Sequence, residues 1–257
     1  MELSITCLNG DCLELMKTLP NKSVDLFLCD LPYGCLTPSG GKVAKTRKGG
    51  STFGSKGCSW DIKIDLDKFW IEVKRLCKND RTPVLMFCNT RFGVDLINSN
   101  PDWFRYDIVW DKQVGTNFLL ANKQPMKSHE MIYVFGMKSV KYNRIDMLVE
   151  GKKGYHFDGD RGISKIYLSA KPTTTEQLDG KRCPLSVIHF PRLQSKLHPT
   201  CKSVDIYKWL IERFSNEGDT VLDPTAGSFN SGRACVELKR NYIGMEMDKD
   251  FYDKNKI

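Results

Sequence analysis

The chain has 257 residues, 40% hydrophobic and 27% charged, with ten cysteines and a formal net charge of +8. That suits one large α/β domain, or one domain carrying a smaller insertion, in an ordinary soluble globular protein. No apolar run approaches the ~20 residues of a membrane span, the MELSITCLNGD start lacks a basic leader and an apolar signal core, and no two cysteines form a C-x-x-C pair; secretion, a zinc site and a disulfide framework are therefore not expected, and a reducing cytoplasm is.

In chain order, short β-rich apolar runs alternate with amphipathic stretches. SITCL is followed by CLELMKTL and then VDLFLCD, and FWIEVKRLC precedes PVLMFCN. YDIVWDK and EMIYVFG come next, and near the end VDIYKWLIERF, TVLDPTAG, RACVELK and NYIGMEM repeat the alternation. Runs of this length with helices between them predict a mostly parallel sheet covered on both faces, whose ligands bind beyond the carboxyl ends of the strands.

Two segments interrupt the pattern. From Cys35 to Gly57 the chain carries Lys42, Lys45, Arg47, Lys48 and Lys56 with no acid, and residues 36 to 59 hold six glycines, as a mobile loop would. From Lys138 to Lys196, twelve Lys and Arg, Lys152 and Lys153 among them, stand against six Asp and Glu in a polar, weakly periodic stretch that reads as an inserted module. Basic charge concentrated on insertions is the footprint of a polyanion-binding protein, although a solvated surface would look the same from charge alone. The seven lysines and arginines named here are the candidate nucleic-acid contacts.

In TVLDPTAGSFNSG an apolar strand ends at Asp223, a proline turn follows, and Gly227-Ser228 leads into a helix. Such a junction lets a ligand lie against backbone amides at a helix N-terminus. The dinucleotide fingerprint G-x-G-x-x-G is absent, which disfavours a nicotinamide oxidoreductase. In NYIGMEMD, Glu246 at the tip of the next strand is placed to accept the hydroxyls of a ribose. A helix cap plus a surface acid is the plainer reading of the same letters. In CDLPYG, the Asp30 carboxylate and the Leu31 carbonyl can both accept from one exocyclic amine. Pro32 fixes the direction of that carbonyl, and Tyr33 offers a flat face to a heterocycle; an ordinary proline turn after a strand would share these four letters.

DLPYG resembles the D-P-P-Y motif of amino-group DNA methyltransferases, and DPTAGS resembles their S-adenosylmethionine (AdoMet) motif. Having the catalytic motif first and the cofactor motif last is similar to the permuted, β-class arrangement of that family. CSWD, KYN, WDKQVGTNFLLANKQPMKSHEMIYVFG and KLHPTCKSVDIYKWLI extend the similarity over nearly the whole chain, most closely to phage and prophage adenine methyltransferases. The resemblance implies an α/β, doubly wound, mostly parallel, seven-stranded Rossmann-like sheet, circularly permuted. Residues 1–137 would form the catalytic half, 138–196 an inserted target-recognition region and 197–257 the AdoMet-binding half. Asp30 and the Leu31 carbonyl would hold the N6 amine of adenine, beside Pro32, and Tyr33 would stack on the flipped base. Asp223, Pro224, Thr225, Ala226, Gly227 and Ser228 would line the methionine part of AdoMet, with Thr200 and Lys202 near its carboxylate. Glu246 would hold the ribose and Asp11 would lie near the cofactor adenine, while Trp60, Asp61, Trp110 and Lys112 would support the site. The implied partner is double-stranded DNA in a bacterial or phage-infected cytoplasm, with no metal; a homodimer is left open.

Three positions depart from the family pattern: Leu31 for the first proline, Phe229 for a second glycine, and Ser203 for the proline of the H-P-T-x-K-P element. The chemistry uses the Leu31 carbonyl, not its side chain. Asp at position 30 points to N6-adenine over N4-cytosine, which shares the geometry. A structured RNA or a protein amide as the amine, or a silent DNA-binding protein that keeps the cofactor fold, are the remaining readings.

Overall fold

A computed structural model describes residues 3–34, 62–116, 118–148, 155–157, 175–177, 181–193 and 201–257. The chain begins with β1 (Ile5–Asn9), α1 (Cys12–Lys17) and β2 (Leu26–Cys29), and continues through α2 (Leu66–Leu76), β3 (Val84–Cys88) and α3 (Thr90–Ser99) to the long strands β4 (Phe104–Thr116) and β5 (Lys127–Phe135). Four short strands follow: β6 (Met147–Leu148), β7 (Tyr155–Phe157), β8 (Thr175–Gln177) and β9 (Lys181–Arg182). The last stretch holds β10 (Val187–His189), α4 (Val204–Phe214), β11 (Thr220–Asp223), α5 (Asn230–Glu237), β12 (Asn241–Glu246) and α6 (Lys249–Asn255). Among the described residues, no helix is long and apolar enough to cross a membrane.

Two compact units separate: Met1–Tyr142 with Ser186–Ile257, and Asn143–Leu185. The second holds two nested antiparallel pairs, β6 with β9 and β7 with β8. It is narrower than the 138–196 stretch expected to be inserted, because Val187–His189 belongs to the first unit, where it pairs in parallel with Val109–Asp111.

The first unit is built on one sheet of order β1-β12-β11-β2-β3-β5-β4-β10. Seven strands are those expected; β10 is an eighth, added at the edge. Every pairing is parallel except those of β5, which runs against both β3 and β4. The apolar runs are continuous because both faces are covered. Leu26, Leu28, Leu85, Phe87, Ile132 and Val134 pack with Ile206, Leu210 and Phe214 of α4 and Ala234 of α5. The alternate residues Phe27, Cys29, Val84, Met86 and Cys88 pack on Met16 of α1, Phe69, Trp70 and Val73 of α2, and Leu96 of α3. All of these helices but α5 start at a side-chain cap. Asp65 caps α2 by accepting from the Lys68 amide at 3.1 Å, and Asn89 caps α3 from Phe92 at 2.9 Å. Ser203, at the departure from the family proline, caps α4 by accepting from the Ile206 amide.

Candidate active site

Strand order places a crevice between β2 and β11. From β11 the chain moves to β12 on one side, and from β2 it moves to β3 on the other. The two strands are parallel, so their carboxyl ends open at the same edge, where sheets of this kind bind ligands.

At the end of β11, Asp223 is buried beneath the turn. It accepts from the Thr225 amide at 3.1 Å and from Ser231 Oγ at 2.5 Å, and Ser231 in turn meets the Tyr242 hydroxyl at 2.9 Å. Burial outweighs these hydrogen bonds and pushes the Asp223 carboxyl up to about 7. Gly227 (φ 52°) turns its amide toward Glu246, whose Oε2 accepts it at 2.8 Å, while Oε1 accepts from Asp248 at 2.8 Å. Burial raises Glu246 above the usual carboxylate value against those two bonds. Phe229 keeps the left-handed backbone of a glycine (φ 55°) although it carries a fully buried ring, packed edge-on to Tyr252 at 6.1 Å between centroids. A non-glycine residue thus holds a backbone conformation that glycine adopts at lower cost.

At the end of β2, Asp30 receives Lys202 Nζ on Oδ2 and the Tyr33 hydroxyl on Oδ1 at 3.0 Å. A carboxylate has about four lone-pair sites, so each oxygen keeps room for one more donor. The Leu31 side chain is buried beneath the turn. The Tyr33 ring stacks on Phe92 of α3, centroids 5.2 Å apart and planes at 26°. Burial first, and the nearby Asp30 charge second, raise the Tyr33 phenol well above its ordinary value and hold it protonated as a donor. Lys202 lies 4.5 Å from the centre of the Phe87 ring. A second buried ion pair, Lys112 Nζ to Glu130 Oε1 at 3.0 Å, flanks the first. Burial works against the Glu130 charge, but Lys202 and Lys112 hold its carboxyl below the usual value. Of the residues expected to support the site, Trp110 packs edge-on to Phe87 at 6.3 Å between centroids and donates from Nε1 to the Phe190 carbonyl at 2.8 Å.

Between the two strand ends lies a cleft of about 470 Å³. Asp11, Asp30, Pro32, Lys202, Pro224, Thr225, Ala226, Gly227, Ser228 and Glu246 all line it, although their sequence positions span most of the chain. Leu31, Tyr33 and Asp223 adjoin residues of that lining in sequence but are not part of it. Thr200, Trp60, Asp61 and the basic residues Lys42, Lys45, Arg47, Lys48, Lys56, Lys152 and Lys153 lie outside the described residues. Sequence reasoning missed Lys63 and Asp65 ahead of α2, and Met247, Asp248 and Phe251 around the start of α6. A signal was present for the last three: they follow Glu246 directly, and a helix that starts at a strand tip turns its first residues toward the same edge. It also missed Glu130, which reaches the level of Asp30 through the pairing of β5 with β3 and of β3 with β2.

Residues 24–256 match the model of a family described as DNA methylase. A type II methyltransferase of Haemophilus influenzae, M.HinfI, is 28% identical over 96% of this chain, which spans 66% of the length of that relative. The DNA adenine methyltransferase YhdJ of Escherichia coli is 26% identical over 96% of this chain and 79% of its own. Among solved structures, an M1.HpyAVI–SAM complex superposes with a TM-score of 0.59 at 21% identity, covering 98% of each chain. The cytosine-N4-specific PvuII DNA methyltransferase gives 0.61 at 16% identity, covering 98% of this chain and 86% of its own. These two similarities bear on the fold.

Proposed function

The chain belongs to the DNA methylase family, and from that premise we propose that it is an AdoMet-dependent DNA methyltransferase acting on the N6 amine of adenine. The observation that carries the reading is the opening of Asp30, the Pro224–Ser228 turn and Glu246 onto one cleft.

The cleft suits AdoMet by size and by chemistry. Its volume falls in the range of small-ligand sites. Carboxylates at Asp11, Glu246, Asp248 and Asp65 offer acceptors for hydroxyl and amino groups, and Leu13, Ile62, Ile64 and Phe251 offer apolar walls for a flat base. Glu246 would take the ribose hydroxyls, Asp11 and Phe251 would border the adenine, and Pro224 to Ser228 would hold the methionine part. When bound, AdoMet supplies an electrophilic methyl group on a sulfonium centre.

The work left to the protein is to make a poor nucleophile attack. The lone pair of an adenine amine is delocalised into the ring. Asp30 and the Leu31 carbonyl each accept one N–H, drawing the nitrogen toward tetrahedral geometry and localising the pair on the side away from them. Lys202 and Tyr33 fix the carboxylate so that its free lone pairs point where positive charge develops. Tyr33 is braced on Phe92 and is held as a stacking platform for the flipped base, whose extrusion costs a few kcal/mol. The basic stretches 35–57 and 138–196 would grip duplex DNA and read the target sequence, in the cytoplasm of a bacterial or phage-infected cell.

The test is transfer of labelled methyl from AdoMet to mixed-sequence duplex DNA, with product nucleosides separated, for wild type and Asp30→Ala. Label in N6-methyladenosine that disappears in the variant is expected. Label in N4-methylcytidine would move the substrate to cytosine, and AdoMet and DNA binding without transfer would overturn the enzymatic reading.

A further inference from the structure

The long β4–β5 hairpin ends in a cluster of exposed apolar side chains that the reaction just described does not use. Because β5 runs against both neighbours, β4 is parallel to β2 and β3. Its Thr116 end therefore leaves the sheet at the edge where Asp30 sits. The Lys112–Glu130 pair marks the level of the site, and the hairpin continues beyond it. Thr116 Oγ1 donates to the Lys127 carbonyl at 2.8 Å, and the tip closes in a 3₁₀ turn over Phe118–Leu120. That turn satisfies its own backbone: the Ala121 amide donates to the Phe118 carbonyl at 3.1 Å, and those of Lys123 and Gln124 donate to Leu120 at 2.8 and 3.0 Å. Yet Phe118 is 74% exposed and Leu119 83%, with Val114 and Met126 exposed below them. An ordered turn that presents its largest apolar groups outward is built to bury them against something.

The flanking charge says what. From Gln113 to His129 the hairpin carries no Asp or Glu, and with Lys112 paired to Glu130 the cations beyond the level of the site are Lys123 and Lys127. Lys123 is exposed at the tip itself. Cations around an apolar point, at the edge where a base must leave its stack, fit a polyanion with a gap in it. Extruding a base leaves a hole in the duplex, and apolar side chains inserted between base steps are a known way of filling one.

We propose that Phe118 and Leu119 are a wedge that enters the DNA duplex at the target site and occupies the space vacated by the flipped base, with Lys123 and Lys127 on the adjacent phosphates. The proposal rests on the methyltransferase reading. It adds a role for residues that do not touch the reacting atoms: the wedge stabilises the extruded state, so its removal matters only when extrusion is costly.

The experiment compares wild type with Phe118→Ser/Leu119→Ser on two duplexes. Both carry the sequence that wild type methylates in bacterial genomic DNA; in the second, an abasic residue stands opposite the target base, so little pairing has to be broken. Both side chains are exposed, so the thermal midpoint should not move. On the fully paired duplex kcat/KM should fall about tenfold or more, and on the abasic duplex less than about threefold. Equal losses on the two duplexes, or no loss on either, would overturn the wedge. A variant that drops from dimer to monomer in sedimentation would assign the tip to a second copy of the chain and overturn it as well. A wild-type protein that methylates no DNA would overturn the parent reading and the wedge with it, an outcome distinct from all of these.

Discussion

Lys202 Nζ donates to Asp30 Oδ2 across 172 positions of sequence, with the lysine side chain 4% exposed and the aspartate 21%. The pair ties the entrance of α4 to the end of β2, and so ties one wall of the cleft to the other. Lys202→Met keeps the apolar stem but leaves Asp30 without its cation and Glu130 with one fewer. Breaking a buried pair in this way should cost about 3 kcal/mol of stability, read from urea midpoints. The kinetic signature separates two roles. A lysine that positions Asp30 should show its loss in kcat; a lysine that binds the AdoMet carboxylate should show it in the KM for AdoMet.

Asp223 gives the fold a pH dependence of defined sign. Its folded pKa is raised from 3.8 to about 7 by burial. Below the lower value both states are protonated. Between the two, the unfolded chain loses its proton while the native chain keeps it, so stability falls as pH rises through this window. Each pKa unit corresponds to about 1.4 kcal/mol, so the full effect is several kcal/mol. Asp223→Asn cannot ionise, and its stability should decline less than that of wild type between about pH 5 and about pH 8. Urea midpoints at the two pH values test this; a constant difference between the proteins would refute it.

Phe229 sets two effects of opposite sign against each other. Replacing it with glycine relieves a left-handed L-residue, worth about 1 kcal/mol. It also empties the site of a fully buried ring, a loss of about 3–5 kcal/mol for truncation to alanine. Phe229→Gly should therefore be destabilised by about 2–4 kcal/mol, the difference between these two terms. A variant more stable than wild type would mean that backbone strain dominates at this turn.

If the basic segments hold DNA, methyl transfer at subsaturating DNA should fall steeply between low and physiological salt, since counterion release dominates such affinity. AdoMet binding, measured separately by calorimetry, should change little over the same range. A flat response of the transfer reaction would remove the basic stretches as the grip.

The two strand ends of the site were legible in the sequence for a physical reason. Strands buried on both faces are continuous apolar runs, so VDLFLCD and TVLDP announce where they stop and which groups stand at the crevice. The register that brings Glu130 opposite Trp110, beside Lys112, was not legible, because β4 changes register against β5 between Asp111 and Thr116. Nor was the Asp30–Lys202 contact: a lysine just ahead of a helix does not reveal where its ammonium points, and the sequence reading sent it toward the cofactor carboxylate. The eighth strand escaped because three residues, of which only Ile188 is buried, carry too little periodicity to separate from a loop.

The order of the sheet also fixes an order in time. β1 is an edge strand whose partner, among the described residues, is β12, and the Ser4 amide is held by Asn241 Oδ1, 237 positions later. β2 meets β11 across a comparable span. A chain emerging from the ribosome thus carries Asp30 and its neighbour β3 from early on, but β11, on the other side of β2, and the turn after it come late. Long-range parallel pairings of this kind form slowly, and until they form, the acceptor group has no cleft to face.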